Sequence, residues 1–163
     1  MPNRWWAANR GEAIAVSSML SDGDSRVEYW LIGEGAQAPE RHKGAALDLR
    51  ARLPEKGKRW VWGFARIPTG VALHIPENAV VRITGRSGNF LRGFIVHDGL
   101  VESEFNGNEV CVLVFCPLPR VIHHGQRVAQ MWSLPIDREA FQRRQVAPEG
   151  VGTEKDGFGS TGM

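Results

Sequence analysis

Val71-Ala72-Leu73-His74-Ile75-Pro76-Glu77-Asn78-Ala79-Val80-Val81-Arg82-Ile83-Thr84 reads as two β-type runs around a Pro-Glu-Asn turn. β-Branched and apolar residues suit the pleated, half-buried surface of a strand, and Pro and Asn supply turn geometry. The two runs are therefore expected to pair with each other. The same grammar extends outward in both directions. Further runs at 27–32, 58–67, 109–115, 121–123 and 127–134 are rich in Val, Ile, Trp or Phe and end at Gly, Pro, Asn or Asp. Short strands at this spacing, without a long apolar stripe of period 3.6, predict an all-β domain. One brief helix is expected, with Ser87 as its cap, residues 88–92 as its body and Gly93 as its stop.

A chain of 163 residues suits one domain with one core. Its 42% hydrophobic and 23% charged residues exclude wholesale disorder. The net charge of +2 is too small to argue for a polyanionic partner. The basic clusters (Arg50, Arg52, Lys56, Lys58, Arg59; Arg143, Arg144) read as solvated surface, and no nucleic-acid partner is expected. Cys111 and Cys116 stand at an odd separation in one run, so a strand would send them to opposite faces and no mutual disulfide is expected. Both read as thiols of a reducing compartment. No apolar stretch approaches the ~20 residues that span a bilayer, and residues 13–20 are too short and polar for a signal peptide. The expectation is an intracellular protein, cytoplasmic or nuclear, neither secreted nor membrane-bound. Residues 1–26 form an irregular lead whose Trp5-Trp6 pair either docks on the domain or offers a patch to a protein partner. Residues 141–163 form an arm that is Gly-rich from Gly150 onward, with little to bury.

Five segments carry chemistry. In Gly157-Phe158-Gly159-Ser160-Thr161-Gly162, a lone ring among glycines can lie on a flat ligand while backbone N–H groups and hydroxyls cradle anions. In Gly85-Arg86-Ser87-Gly88, a helix start beside a guanidinium forms a phosphate site. Gly99 to Gly107 (Gly-Leu-Val-Glu-Ser-Glu-Phe-Asn-Gly) suggests a β-hairpin able to enclose a small flat group. Asp48, in Gly44-Ala-Ala-Leu-Asp-Leu49, sits between two leucines, where a charge is costly without a partner. Gln130, in Gly125-Gln-Arg-Val-Ala-Gln-Met-Trp132, falls between large apolar neighbours and must find hydrogen bonds there. His123-His124 are adjacent, so they face opposite sides of a strand and do not share a metal, whereas His97 lies where it could touch a bound base.

Taken in order, the five segments resemble the dUTPases (deoxyuridine 5'-triphosphate nucleotidohydrolases) of the trimeric type, from about residue 27 to 162. The resemblance implies a distorted jelly-roll β-barrel over 27–140 with one short helix. It implies a homotrimer whose C-terminal arms are exchanged and close over the sites at subunit interfaces. The implied reaction is attack of water on the α-phosphorus of dUTP, giving dUMP and pyrophosphate, with Mg2+ as cofactor. Glu102 stands where the family has its catalytic Asp, and Asp48 where the family's Asp orients water around the metal. Arg86, Ser87, Gly88 and Gln130 match phosphate holders, Gly99 opens the uracil-binding segment, and the Phe105 ring lies under the deoxyribose. Phe158 would stack on uracil, with Gly159, Ser160 and Thr161 on the phosphates.

The departures are specific. Glu102 replaces Asp, Phe105 replaces Tyr, Gly85 replaces Pro, and Asn89-Phe90 replaces Leu-Ala. No Arg stands in the few residues before Phe158, which leaves Lys155 as the cation for the γ-phosphate. These changes frame an alternative: a weakened or inactive protein of the same fold acting through protein partners, as in certain adenoviral early proteins, so a virus-encoded origin fits either reading. The related dCTP deaminases are a second rival, disfavoured by the uracil-type segment and the tail.

Overall fold

Two long strands carry the architecture, and each is longer than its sequence suggests. The computed structural model describes residues 26–55 and 57–141. Its elements are β1 (Glu28–Leu31), β2 (Glu40–Arg41), β3 (Leu47–Arg50), β4 (Lys58–His74), β5 (Ala79–Thr84), helix α1 (Ser87–Phe90), β6 (Ile95–Val96), β7 (Gly99–Val101), a 3-10 turn (Ser103–Phe105), β8 (Glu109–His123) and β9 (Arg127–Pro135). The runs 58–67 and 71–75 merge into β4 because Gly70 adopts φ +69° and the strand bulges between Pro68 and Ala72 instead of ending. A Cβ at Gly70 would lie 2.5 Å from Arg52 Cδ and 2.6 Å from Ala36 Cβ, so the position also admits no side chain. β8 likewise runs through the exposed Pro117 and Pro119. Its neighbour β6 pairs only at Val114 and Phe115, so this half of β8 is an edge, where a missing N–H is tolerated.

All pairs are antiparallel and form two sheets, ordered β1-β4-β8-β6 and β2-β3-β9-β5-β7. The all-β architecture with a short helix is as expected, but the described residues form two separate sheets and no closed barrel. Inward side chains from both sheets, among them Leu49, Ile67, Leu73, Val112, Ile122 and Met131, make one core. Thr69, 1% exposed, is satisfied there by donating to the Val110 carbonyl at 2.6 Å.

The opening pair of runs is corrected by this topology. Residues 71–74 pair with β1, while Ala79–Thr84 pair with β7 and β9, so the Pro76 turn carries the chain from one sheet to the other. The segment 99–107 is not a hairpin either. β7 pairs with β5, and the 3-10 turn then crosses to β8 in the opposite sheet. Among the described residues no helix is long and apolar enough to cross a membrane.

Candidate active site

Cross-strand register brings three of the five segments together. Asp48 on β3 stands opposite Gln130 on β9, and Gln130 stands opposite Thr84, the last residue of β5. Directly opposed residues share a face, so Asp48, Gln130 and Thr84 form one row on the outer face of the five-stranded sheet. Two residues beyond Thr84 comes Arg86, which closes back onto the row. Its Nε lies 2.9 Å from Asp48 Oδ1, and Arg127 Nη1 lies 3.3 Å from Asp48 Oδ2. This explains how an Asp between leucines is tolerated at 7% exposure: each carboxylate oxygen has its own guanidinium. One negative charge against two positive ones leaves the row net cationic, a polarity that suits a polyphosphate.

Helix α1 presents the rest of the phosphate segment. Arg86, in extended conformation, is its N-cap residue, and no side chain caps it, so Ser87 lies inside the helix instead of capping it. Ser87 and Gly88 are exposed, and a Cβ at Gly88 would meet nothing within 4 Å. Their N–H groups precede the first intrahelical hydrogen bonds, which run from Asn89 and Phe90 to the Arg86 carbonyl. Asn89, one of the departures noted in the sequence, anchors the helix. Its Nδ2 donates to the Arg127 and Val128 carbonyls at 3.1 and 3.2 Å and ties the helix to β9.

Glu102 is placed differently. It is exposed and extended, immediately before the 3-10 turn, and its carboxylate makes no capping bond. Two devices fix that turn. Asn106 accepts from the Ile75 N–H at 2.8 Å and donates to the Ile75 carbonyl at 3.0 Å, copying one rung of a β-ladder. Arg138, just beyond β9, reaches Ser103 Oγ at 3.3 Å, Glu104 Oε1 at 3.7 Å and Glu77 Oε2 at 3.0 Å. Neither Asn106 nor Arg138 was singled out from the sequence. Asn-Gly at 106–107 signals only a turn, and the partners lie far away along the chain. Phe105 is 43% exposed beside Glu102, its ring available to a ligand.

Within one chain, Glu102 and Asp48 do not meet. β7 pairs Val101 with Val81, four positions along β5 from Thr84 when Glu102 is counted. Three strand spacings of about 4.8 Å separate β7 from β3, and four residue rises of about 3.4 Å separate the two ends, giving about 20 Å in all. Between them on the same face, Arg82 stacks over Trp132 at 5.6 Å and pairs with Asp98. The hydrogen bond from Arg82 holds the Asp98 carboxyl below its usual range. Burial pushes the Cys111 and Cys116 thiols up, and both are free. Gly99 sits on β7 opposite Ile83, with His97 at contact distance from where a Cβ would stand. The expected roles of Lys155, Phe158, Gly159, Ser160 and Thr161, and of Trp5-Trp6, fall outside the described residues.

Among the described residues no group of three or more His, Cys, Asp or Glu side chains is arranged to hold a metal by itself. Asp48, with both oxygens already engaged, suits an outer-sphere contact through water better than direct ligation.

Comparison with known proteins identifies the family. The dUTPase family model matches residues 36–162. The deoxyuridine 5'-triphosphate nucleotidohydrolase of Anaplasma marginale is 34% identical over 125 residues, which span 74% of this chain and 84% of that protein. Among solved structures, a point mutant of the Staphylococcus bacteriophage 80alpha dUTPase with dUpNHpp superposes with a TM-score of 0.71 at 18% identity, covering 86% of this chain and 100% of that one. A point mutant of the dUTPase from phage phi11 of S. aureus, described with a structural Mg(II) ion, gives 0.66 at 18% identity, covering 75% and 98%.

Proposed function

The chain belongs to the dUTPase family, and from that premise we propose that it hydrolyses dUTP to dUMP and pyrophosphate at sites shared between the subunits of a homotrimer. The observation that carries this reading is the separation just described. The phosphate-holding row (Asp48, Arg86, Gln130) and the base Glu102 lie about 20 Å apart on one face of one chain. A working site therefore needs the row of one subunit and the Glu102 turn of another. A closed ring of such head-to-tail contacts gives equivalent sites. The outer face of the four-stranded sheet offers apolar surface for such an assembly, with Phe64 88% exposed and its ring tilted against that of Phe115, centroids 4.9 Å apart.

The division of labour follows from the chemistry of each group. Arg86 uses Nε on Asp48 and keeps its remaining N–H donors for phosphate oxygens. The exposed N–H groups of Ser87 and Gly88 and the amide of Gln130 complete the cradle. Phe105 and the backbone at Gly99 hold the deoxyribose and the base. Glu102, free of structural bonds, takes a proton from the water that attacks the α-phosphorus, and the P–O bond to the β-phosphate breaks to release pyrophosphate. Mg2+ on the triphosphate, reached through water by Asp48, would supply further neutralisation of phosphate charge. The arm over 141–163 closes the site, with Phe158 on the uracil and Lys155 toward the γ-phosphate. The unspent Glu102 carboxylate favours this reading over that of an inactive protein acting through partners of its N-terminal lead.

The experiment is direct. Purified protein is incubated with dUTP, dCTP, dTTP or UTP and Mg2+, and pyrophosphate and ammonia are measured. Pyrophosphate from dUTP alone is expected; no product from any of the four would overturn the proposal.

A further inference from the structure

Beside helix α1, lined by none of the residues of the row, lies a polar cleft of about 230 Å3. Its walls include Asn89, Arg92, Phe94, Arg120, Ile122 and Gln126, and no carboxylate lines it. Arg120 lines it, and its Nε is buried with no hydrogen-bond partner. The floor is apolar, since Ile122 is 0% and Phe94 5% exposed. A guanidinium against such a floor, with an unmet N–H, costs stability unless a charge of opposite sign meets it.

The other polar groups at the cleft lean the same way. The Gln126 side-chain oxygen accepts the His123 N–H at 3.0 Å, which leaves its NH2 group as a donor. The Asn89 NH2 group is committed to β9, so this residue fixes the wall rather than competing for Arg120. Two guanidiniums and an amide donor around an apolar floor form a receptor for a compact oxyanion. The volume is several times the ~30 Å3 share of a water molecule. One bridging water would not fill it.

We propose that this cleft binds a small oxyanion of the phosphate class, held by Arg120 and Arg92, at a site separate from the catalytic row. Free inorganic phosphate is the simplest carrier of this chemistry. Because the cleft backs onto the helix that carries Ser87 and Gly88, its occupant would also brace that helix. The proposal does not depend on the proposed function.

The test titrates the full chain with inorganic phosphate, against chloride at matched ionic strength. Binding is read by thermal shift and by the 15N resonance of Arg120 Nε. Wild type should show saturable stabilisation, a perturbed Nε signal, and about tenfold or greater loss of affinity in Arg120→Leu. Arg86→Ala should keep the Nε response, which separates this cleft from the row. In phosphate-free buffer Arg120→Leu should melt at or above the wild-type temperature, because it removes an unmet buried donor. Arg92→Ala should weaken binding without unfolding the protein, which covers the case in which Arg120→Leu fails to fold. An Nε signal unmoved by phosphate in wild type, or equal phosphate response in wild type and Arg120→Leu, would overturn the proposal.

Discussion

Replacing Asp48 by Asn tests whether one carboxylate organises the row of Asp48, Gln130 and Arg86. The side-chain volume is nearly unchanged, so the perturbation is electrostatic. In the native protein Arg86 Nε sits 2.9 Å from one carboxylate oxygen and Arg127 Nη1 3.3 Å from the other, with the Asp48 side chain 10% exposed. Asn retains one neutral acceptor but turns an NH2 group toward the second guanidinium, so donor faces donor. Removing one charge from a largely buried ion pair such as the Arg86 contact costs about 1.5–3 kcal/mol. The Arg127 contact is longer and its side chain is 37% exposed, so solvent screening limits it to about 1 kcal/mol or less. The expected loss is therefore about 2–4 kcal/mol, or roughly 4–16 °C in melting temperature for a domain of this size. Calorimetry at fixed protein concentration measures it. Combining Asp48→Asn with Arg86→Gln should reveal a coupling well above the ~0.5 kcal/mol expected of independent sites. A melting temperature within a degree of wild type, or strictly additive losses, would refute the reasoning.

Four further substitutions test the account. Glu102→Gln should abolish turnover while nucleotide binding, followed by calorimetric titration, persists; full activity would remove Glu102 as the base. Glu102→Asp probes reach, since one methylene shifts the carboxylate by about an ångström and misplacement of that size can change the rate on the order of 100-fold. Arg138→Ala frees the turn after Glu102, and because its partners are exposed it should cost under about 1 kcal/mol of stability yet lower kcat with KM little changed; a KM-only effect would show that Arg138 does not position the base. Gly70→Ala should cost about 3 kcal/mol by chemical denaturation, combining the left-handed backbone penalty with contacts to Arg52 and Ala36; a neutral result would mean the β4 bulge relaxes freely.

The sequence made the strands legible because alternation and turn residues are local signals. The run Ala79–Thr84 coincides with β5, and the expected 127–134 run with β9 to within a residue. Strand partners were not legible. Ile75-Pro76-Glu77-Asn78 has the chemistry of a hairpin turn, yet the chain there passes between sheets, a choice made by which faces the core buries. β4 looked like two strands because Pro68 and Gly70 are breakers in isolation, and only the bulge geometry shows how a strand survives them.

The site divides the same way. Asp48, Arg86 and Gln130 were legible as residue types, and the unmet charge of Asp48 announced that partners must exist. Their identity, Arg86 and Arg127, required the register across β3 and β9. Asn89, Asn106 and Arg138 act through bonds to residues 31 to 61 positions away, which no local pattern encodes. The separation of Glu102 from the row is a property of the sheet, and the proposed two-subunit site rests on it.

Subunit mixing tests that necessity most directly. Glu102→Gln and Asp48→Asn proteins, each inactive alone, are unfolded together in equal amounts, refolded and assayed for dUTP hydrolysis. If every site takes Glu102 from one subunit and Asp48 from another, random reassembly leaves about one site in four with both residues intact. Activity should return to about a quarter of that of wild type treated identically. If each chain builds its own site, the mixture stays as inactive as its components, and the account of a shared site is contradicted.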